Sequence, residues 1–254
     1  WRPKTYSGSY GTNGFHLPLT STSPGTDTSG NSNTFTASGL TATDNVADSP
    51  TNSYATLSPI DKYSTVTLSA GNLATSDSGG FNGNAGGTIG VSSGKWYFEA
   101  ARVTGAGVQF GFVDERWAVT TNQRPSASGY AYVNFQDNDA GLDANGNITC
   151  ASLAAAPNAN WVGTLLDLDN NQVSWIDTSG TQTATCSIPS GVVWMPYSNQ
   201  NGDSGKINFG QGGQSGLTYD ASAGGYFKYT PPSGYKALST ANLPTPSVTV
   251  PKNY

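Results

Sequence analysis

Charged side chains are scarce in this chain. Asp, Glu, Lys and Arg make up 11% of its 254 residues, where about 25% is usual for a globular protein. The 11 basic residues are spread thinly and the formal net charge is −5, so the basic patch that a nucleic-acid partner requires is missing. No stretch approaches the ~20 apolar residues of a membrane-spanning helix, and no signal-peptide pattern is present. Histidine occurs once, at His16. With no G-x-S-x-G elbow either, a Ser/His/Asp set would have to recruit its imidazole from the N-terminal region. The glycine pairs Gly79–Gly80 and Gly86–Gly87 lack the lysine of a phosphate-binding loop. Cys150 and Cys186 are the two cysteines. Two buried thiols and one disulfide, closing a loop of about 35 residues worth ~3 kcal/mol, are both open. With one distant histidine they do not make a zinc site. Methionine occurs once, at Met195, and position 1 is Trp, which predicts a processed form or a piece of a longer chain.

What is abundant is the chemistry of turns. Glycine is 32 of 254 residues, about 13%, against a usual ~7%, and Ser, Thr and Asn fill much of the rest. Short apolar–polar alternations lie between these turn residues, the pattern of an all-β protein. The stretch Ser93–Val113, SGKWYFEAARVTGAGVQFGFV, carries the heaviest aromatic load. Trp96, Phe98 and Ala100 alternate with Tyr97, Glu99 and Ala101, and Phe110 and Phe112 share a face of the next run. The stretch predicts an antiparallel hairpin turning at Thr104–Gly107. Further strands are expected at Ser64–Leu68, Thr88–Val91, Tyr130–Phe135, Ile148–Ser152, Trp161–Leu168, Gln172–Ile176, Thr183–Ile188, Val192–Tyr197, Lys206–Phe209 and Tyr226–Tyr229. Ser78–Gly87 reads as a glycine loop and Leu153–Ala156 as the one helix-like piece. The expected fold is an antiparallel β-sandwich, jelly-roll in style, whose core holds Trp96, Phe98, Phe110, Phe112, Leu166 and Phe209. Residues 1–58 read as an irregular arm too polar to bury a core, which must lie against the β domain or a neighbouring subunit, or remain mobile. Residues 59–240 form the sandwich, and 241–254, with Pro244, Pro246 and Pro251, form a Pro-containing linker.

Candidate sites are few. The turn Asp137–Asn147, DNDAGLDANGN, places Asp143, Asn145 and Asn147 around Gly146, oxygen ligands of the kind calcium prefers. A plain hairpin turn accounts for the same residues. Asp167 and Asp169 share a strand face, and paired carboxylates can serve as acid and base in glycoside hydrolysis, but these two stand at a strand end beside Asn170–Asn171, where the chain turns. Aromatic rings with amides nearby suit sugar binding. Trp96, Trp161 and Trp175 sit inside strand patterns and are expected in the core. Trp117 and Tyr130 flank a polar loop that carries Asn122 and Arg124, and these four are the candidate binding residues. No cofactor is implied.

Two resemblances sharpen this reading. GKWYFE at Gly94–Glu99, then a glycine turn and GFV at Gly111–Val113, resembles the opening of a SPRY domain. WVGTLLDLDNNQVSW at Trp161–Trp175 and KINFGQ at Lys206–Gln211 follow in that family's order. The resemblance implies a SPRY/concanavalin-like sandwich. In the arm, Asn13-Gly14-Phe15, Asp27-Thr28-Ser29-Gly30 and Asp48-Ser49-Pro50-Thr51-Asn52 resemble a segment of tailed-bacteriophage structural proteins that lies upstream of a SPRY-like domain. That second resemblance implies a non-enzymatic virion protein of fibre, tail or capsid-appendage type. Its implied partners are other virion proteins and itself, as a homo-oligomer for which a trimer is the common case, and a host-surface glycan or protein. The rival readings are a carbohydrate-binding module of a larger glycan-active enzyme and a glycan-cleaving tailspike domain.

Overall fold

The computed structural model describes residues 6–19, 24–40, 52–79, 83–105, 107–117, 132–136, 139–143, 147–152 and 160–244; for 132–136, 139–143 and 147–152 it describes the backbone alone. Among the described residues there are seventeen strands and no helix. They run β1 Leu57–Lys62, β2 Val66–Ser69, β3 Ala74–Asp77, β4 Gly83–Gly87, β5 Lys95–Thr104, β6 Gln109–Asp114, β7 Tyr132–Gln136, β8 Asp139–Asp143 and β9 Asn147–Ser152. Then come β10 Trp161–Asp167, β11 Gln172–Ile176, β12 Cys186–Ser187, β13 Trp194–Gln200, β14 Ser204–Asn208, β15 Thr218–Asp220, β16 Gly225–Phe227 and β17 Lys236–Ala237.

Two antiparallel sheets face each other. The first has the order β1-β4-β13-β6-β7-β8-β9, and the second β12-β11-β10-β5-β14-β3-β2. At the start of β5, beyond the reach of β14, the short β17 pairs in parallel with Trp96 and Tyr97. The expected antiparallel sandwich is therefore the fold, and its six expected core residues all lie in the shared interior. Phe98 meets Phe112 edge-on at 5.1 Å and Phe209 at 5.6 Å. Each such side chain removed from water contributes about 1.5–3 kcal/mol.

The connection inside Ser93–Val113 differs from the expected hairpin. β5 pairs with β10 and β14, whereas β6 pairs with β13 and β7. The chain arches from one sheet to the other, so Phe98 and Phe112 face each other across the core instead of lying side by side. Alternation shows which side chains go inward; it does not distinguish a hairpin from an arch. The glycine-rich stretch is also not wholly a loop. β4 is an interior strand between β1 and β13 with every residue buried. Glycine is required where backbones and rings approach closely: a Cβ on Gly87 would stand 2.8 Å from Pro196. Likewise β8 occupies the middle of the expected acidic turn. The first strand begins at Leu57, earlier than expected, and Leu153–Ala156 lies outside the described residues. Cys186, on β12 at an edge of the second sheet, is disulfide-bonded, so the thiol alternative does not hold for it. The chain's other cysteine, Cys150, is on β9, at an edge of the first sheet.

Among the described arm residues 6–19 and 24–40 no side chain is buried in an apolar core, yet they are ordered by their own bonds. The Asp27 carboxylate accepts from His16 N (2.8 Å), Ser29 N (2.8 Å), Ser29 Oγ (2.7 Å) and Asn33 N (2.9 Å). The Gly14 carbonyl accepts from the side-chain amides of Asn31 and Asn33, each at 2.9 Å. A Cβ on Gly14 would overlap the Tyr10 carbonyl oxygen, so that crossing needs glycine. Thr28 N donates to His16 O, Phe35 N donates to Gly25 O, and the Phe15 and Phe35 rings meet edge-on at 4.9 Å. The described residues 6–19 and 24–40 contain no strand or helix, in keeping with the expected irregular arm, and these bonds within it are what the sequence did not show. The residues of the first two arm motifs converge on one another.

Candidate functional site

On the first sheet, the outward side chains of β4, β13 and β6 make a row. Register sets Asn84 opposite Asn199 and Asn199 opposite Gln109. Asn199 Nδ2 donates to Asn84 Oδ1 at 2.6 Å. Two residues along, Tyr197 lies opposite Gly111, and Met195 opposite Val113. Amides, tyrosine and aliphatic groups thus form a strip that is neutral in charge, and all of these side chains except Met195 are buried.

The turn after β6 closes one end of this strip. The buried Asp114 carboxylate accepts from Arg116 N at 3.0 Å and Nε at 2.8 Å, and also pairs with Arg116 Nη2. The Arg116 guanidinium hydrogen bond leads in holding the Asp114 carboxyl below its ordinary range. Trp117 N donates to Asp114 O at 2.9 Å. The tight turn throws the Trp117 ring back onto the sheet, where it meets Tyr197 edge-on at 6.1 Å and is 5% exposed. Trp117 is therefore packed against the sheet and is not the exposed platform expected of it. A bulky ring following a compact acidic turn has an apolar strip at hand, and burial there outweighs display. Asn122, Arg124 and Tyr130 lie outside the described residues.

For the candidate metal turn, backbone register places Asp143 directly opposite Asn147 at the turn end of the β8–β9 hairpin; Asn145 lies outside the described residues. Asp167 and Asp169 make structural contacts. Asp167 accepts from Lys95 Nζ at 2.7 Å and from Asn170, and Asp169 accepts from Gly94 N at 2.8 Å. They tie the β10–β11 turn to the start of β5. Burial raises the Asp167 pKa, but the bonds from Lys95 and Asn170 together hold it below the ordinary value. His16 hydrogen-bonds through Nδ1 with Thr28 Oγ1 at 2.8 Å and stacks on Tyr10.

The second sheet's outer face is capped by the chain's C-terminal part. Tyr97, Leu165 and Ile176 pack under Phe227, Ala223, Ala237 and Tyr54, with Tyr229 and Tyr235 alongside. Beneath that cap lies Glu99, 0% exposed. Its carboxylate accepts from Tyr97 Oη (2.9 Å), Asn208 Nδ2 (3.3 Å), Lys228 N (2.8 Å) and Tyr229 N (2.8 Å). Burial pushes its pKa up, and the four donors offset this only in part. Sequence alternation placed Glu99 opposite the core-facing residues but held no sign of the cap over it. One outward pair remains on the cap: Tyr219 and Tyr226, opposite each other on β15 and β16. Nothing in their local pattern distinguishes them from strand residues that face a core.

No protein-family model matches the chain, and no curated protein matches it. Among solved structures it is similar to the SPRY domain of human HERC1, at 17% identity over 60% of this chain and 96% of that one, with a TM-score of 0.49. It is similar to the PSpry domain of TRIM65, at 13% identity over 61% and 91%, with a TM-score of 0.47. Stonustoxin is similar at 18% identity over 61% of this chain and 27% of that one, with a TM-score of 0.47.

Proposed function

We propose that this chain is a non-enzymatic structural protein of a virion, a fibre or a tail or capsid appendage of a tailed phage, with its sandwich serving as an interaction module. One observation carries the reading. The motifs Asn13-Gly14-Phe15 and Asp27-Thr28-Ser29-Gly30, which resemble phage structural proteins, belong to a single hydrogen-bonded unit ahead of the sandwich. The virion assignment rests on those motifs alone, since fold by itself gives no function. The partners in this reading are other virion proteins, further copies of the chain, and a host-surface glycan or protein. The carboxylates weighed for catalysis, Asp167 and Asp169, are engaged in holding turns, which supports a role without hydrolysis.

Mass spectrometry of purified particles from the virus that encodes the chain is the direct test. The chain is expected at a fixed copy number per particle, and its absence from intact particles overturns the virion reading. A reducing-end assay on host surface polysaccharide tests the non-enzymatic half: no release is expected, and turnover would restore the glycan-cleaving rival. Mass measurement of the full-length parent at micromolar concentration tests self-association, for which a strict monomer is the contrary result.

A further inference from the structure

We propose that Tyr219 and Tyr226 form a stacking site for an uncharged glycan; this deepens the interaction-module reading and rests on it. The two residues pair directly across β15 and β16, so both rings leave the hairpin on one side. Their centroids are 5.0 Å apart with planes tilted by 55°. Tyr219 is 53% exposed and Tyr226 37%. Their neighbours point the other way: Gly225 and Phe227 are buried, and Phe227 packs edge-on against Tyr97 at 4.8 Å. The hairpin is thus nailed to the sheet by one face and presents its tyrosines with the other.

The Tyr226 ring is held in place. A Cβ added to Gly212 would stand 3.2 Å from that ring, so the side chain rests on bare backbone. The main chain of Tyr226 is fixed too: its N donates to Gly210 O and its O accepts from Asn208 Nδ2, both at 2.8 Å. A ring already ordered loses little rotamer freedom when a ligand covers it. Next to Gly212, Gly213 and Gln214 line a cavity of about 180 Å³ whose other walls are Ala70, Leu73, Ala74 and Lys206. Neither tyrosine lines that recess; the backbone of Gly212 and Gly213 connects the Tyr226 ring to its wall.

Charge selects the ligand class. The hairpin's own charge is Asp220, whose carboxylate accepts from Ser222 N, Ser222 Oγ and Ala223 N; Lys236 reaches the same turn, donates to Ser222 O and offsets the Asp220 charge, so the pair is neutral. A phosphate-bearing or strongly acidic ligand has no fork of cations to meet it. A pyranose ring has an apolar C–H face for a phenol and hydroxyls for amides at the rim, and tyrosine tolerates water when the site is empty. Trp117 cannot take this role, because its ring is covered.

The test is titration calorimetry of the full 254-residue chain against maltohexaose, cellohexaose, xylohexaose and chitohexaose, with a proline-rich decapeptide as the competing class. Binding of at least one oligosaccharide is expected, weakened roughly tenfold by Tyr219→Ala or Tyr226→Ala, the equivalent of one stacking contact of about 1.4 kcal/mol. Tyr219→Phe should bind within about twofold of the parent, because stacking needs the ring and not the hydroxyl. Both tyrosines are outward-facing, so unchanged thermal midpoints would show that the variants fold. The proposal is overturned if no oligosaccharide binds, if the alanine variants bind as well as the parent, or if the peptide alone binds. A chain that still adheres to host cells when both tyrosines are alanine would sink this site and leave the interaction-module reading standing.

Discussion

Asp27 in the arm and Glu99 under the cap are both hubs, and each accepts four hydrogen bonds. Their proton affinities nevertheless move in opposite directions. Asp27 is held far below its ordinary value, led by the bond from the His16 amide. Glu99 is pushed above its own, because burial outweighs its four donors. Equal numbers of donors do not give equal electrostatics; access to water decides the sign. The same contrast holds for apolar groups. Phe15 in the arm is 50% exposed, whereas Phe98 in the sandwich is fully buried. One region is organised by a solvated carboxylate and the other by a dry core.

The largest effect should come from testing the apolar side of that contrast. Phe98→Ala is expected to cost the sandwich about 3–5 kcal/mol, and Phe15→Ala less than about 0.5 kcal/mol. Urea unfolding followed by tryptophan fluorescence reads both, and equal losses would erase the distinction. Next comes Glu99→Gln. It places an amide N–H₂ among three N–H donors and the Tyr97 hydroxyl, so a loss of about 1–3 kcal/mol is expected at neutral pH. A variant as stable as the parent would mean that the buried hub is not held as described.

Acidification should separate the two hubs by sign. A raised folded-state pKa means that Glu99 favours the folded state most below its unfolded value of ~4.3. That contribution declines as pH rises through the folded value. The penalty of Glu99→Gln should therefore grow as pH falls from 7 toward 4. Asp27 behaves in the reverse way. Its contribution is complete above the unfolded value of ~3.9 and is lost as pH falls through the lower folded value. Amide exchange at His16, Ser29 and Asn33 should speed up relative to the intrinsic rate only in strong acid, while Lys228 and Tyr229 stay protected. Both sites loosening together would refute the assignment. The smallest global effect is expected from Asp27→Asn: the arm amides lose protection and the sandwich midpoint does not move. A lowered midpoint would show that the arm supports the sandwich after all.

Much of the sandwich was legible because inward side chains repeat every second residue; Trp96, Phe98, Phe110 and Phe112 follow that period and are core. Pairing was less legible. The arch between β5 and β6 and the interior strand β4 depend on which strand lies beside which, and composition points the wrong way for GNAGG. The candidate site was the least legible. Trp117 is buried by a turn that brings it to Tyr197, and Tyr219 and Tyr226 are exposed because Phe227 takes the inward direction. Both outcomes depend on contacts far apart in sequence. The arm motifs were visible as strings, but only the fold brings Asp27 to the amides of His16 and Asn33.

The chain enters and leaves the sandwich side by side: Ala55 N bonds Leu238 O, Thr240 N bonds Ser53 O, and Tyr54 bridges Ser239. Mechanically, tension along the chain would reach Ser53 and Thr240 together and pull them apart at right angles to the strands. Such a load peels hydrogen bonds one at a time instead of shearing a whole ladder at once. The Tyr54–Ser239 clasp is then the part that yields first under drag, while β5, β10 and the core behind them remain unloaded.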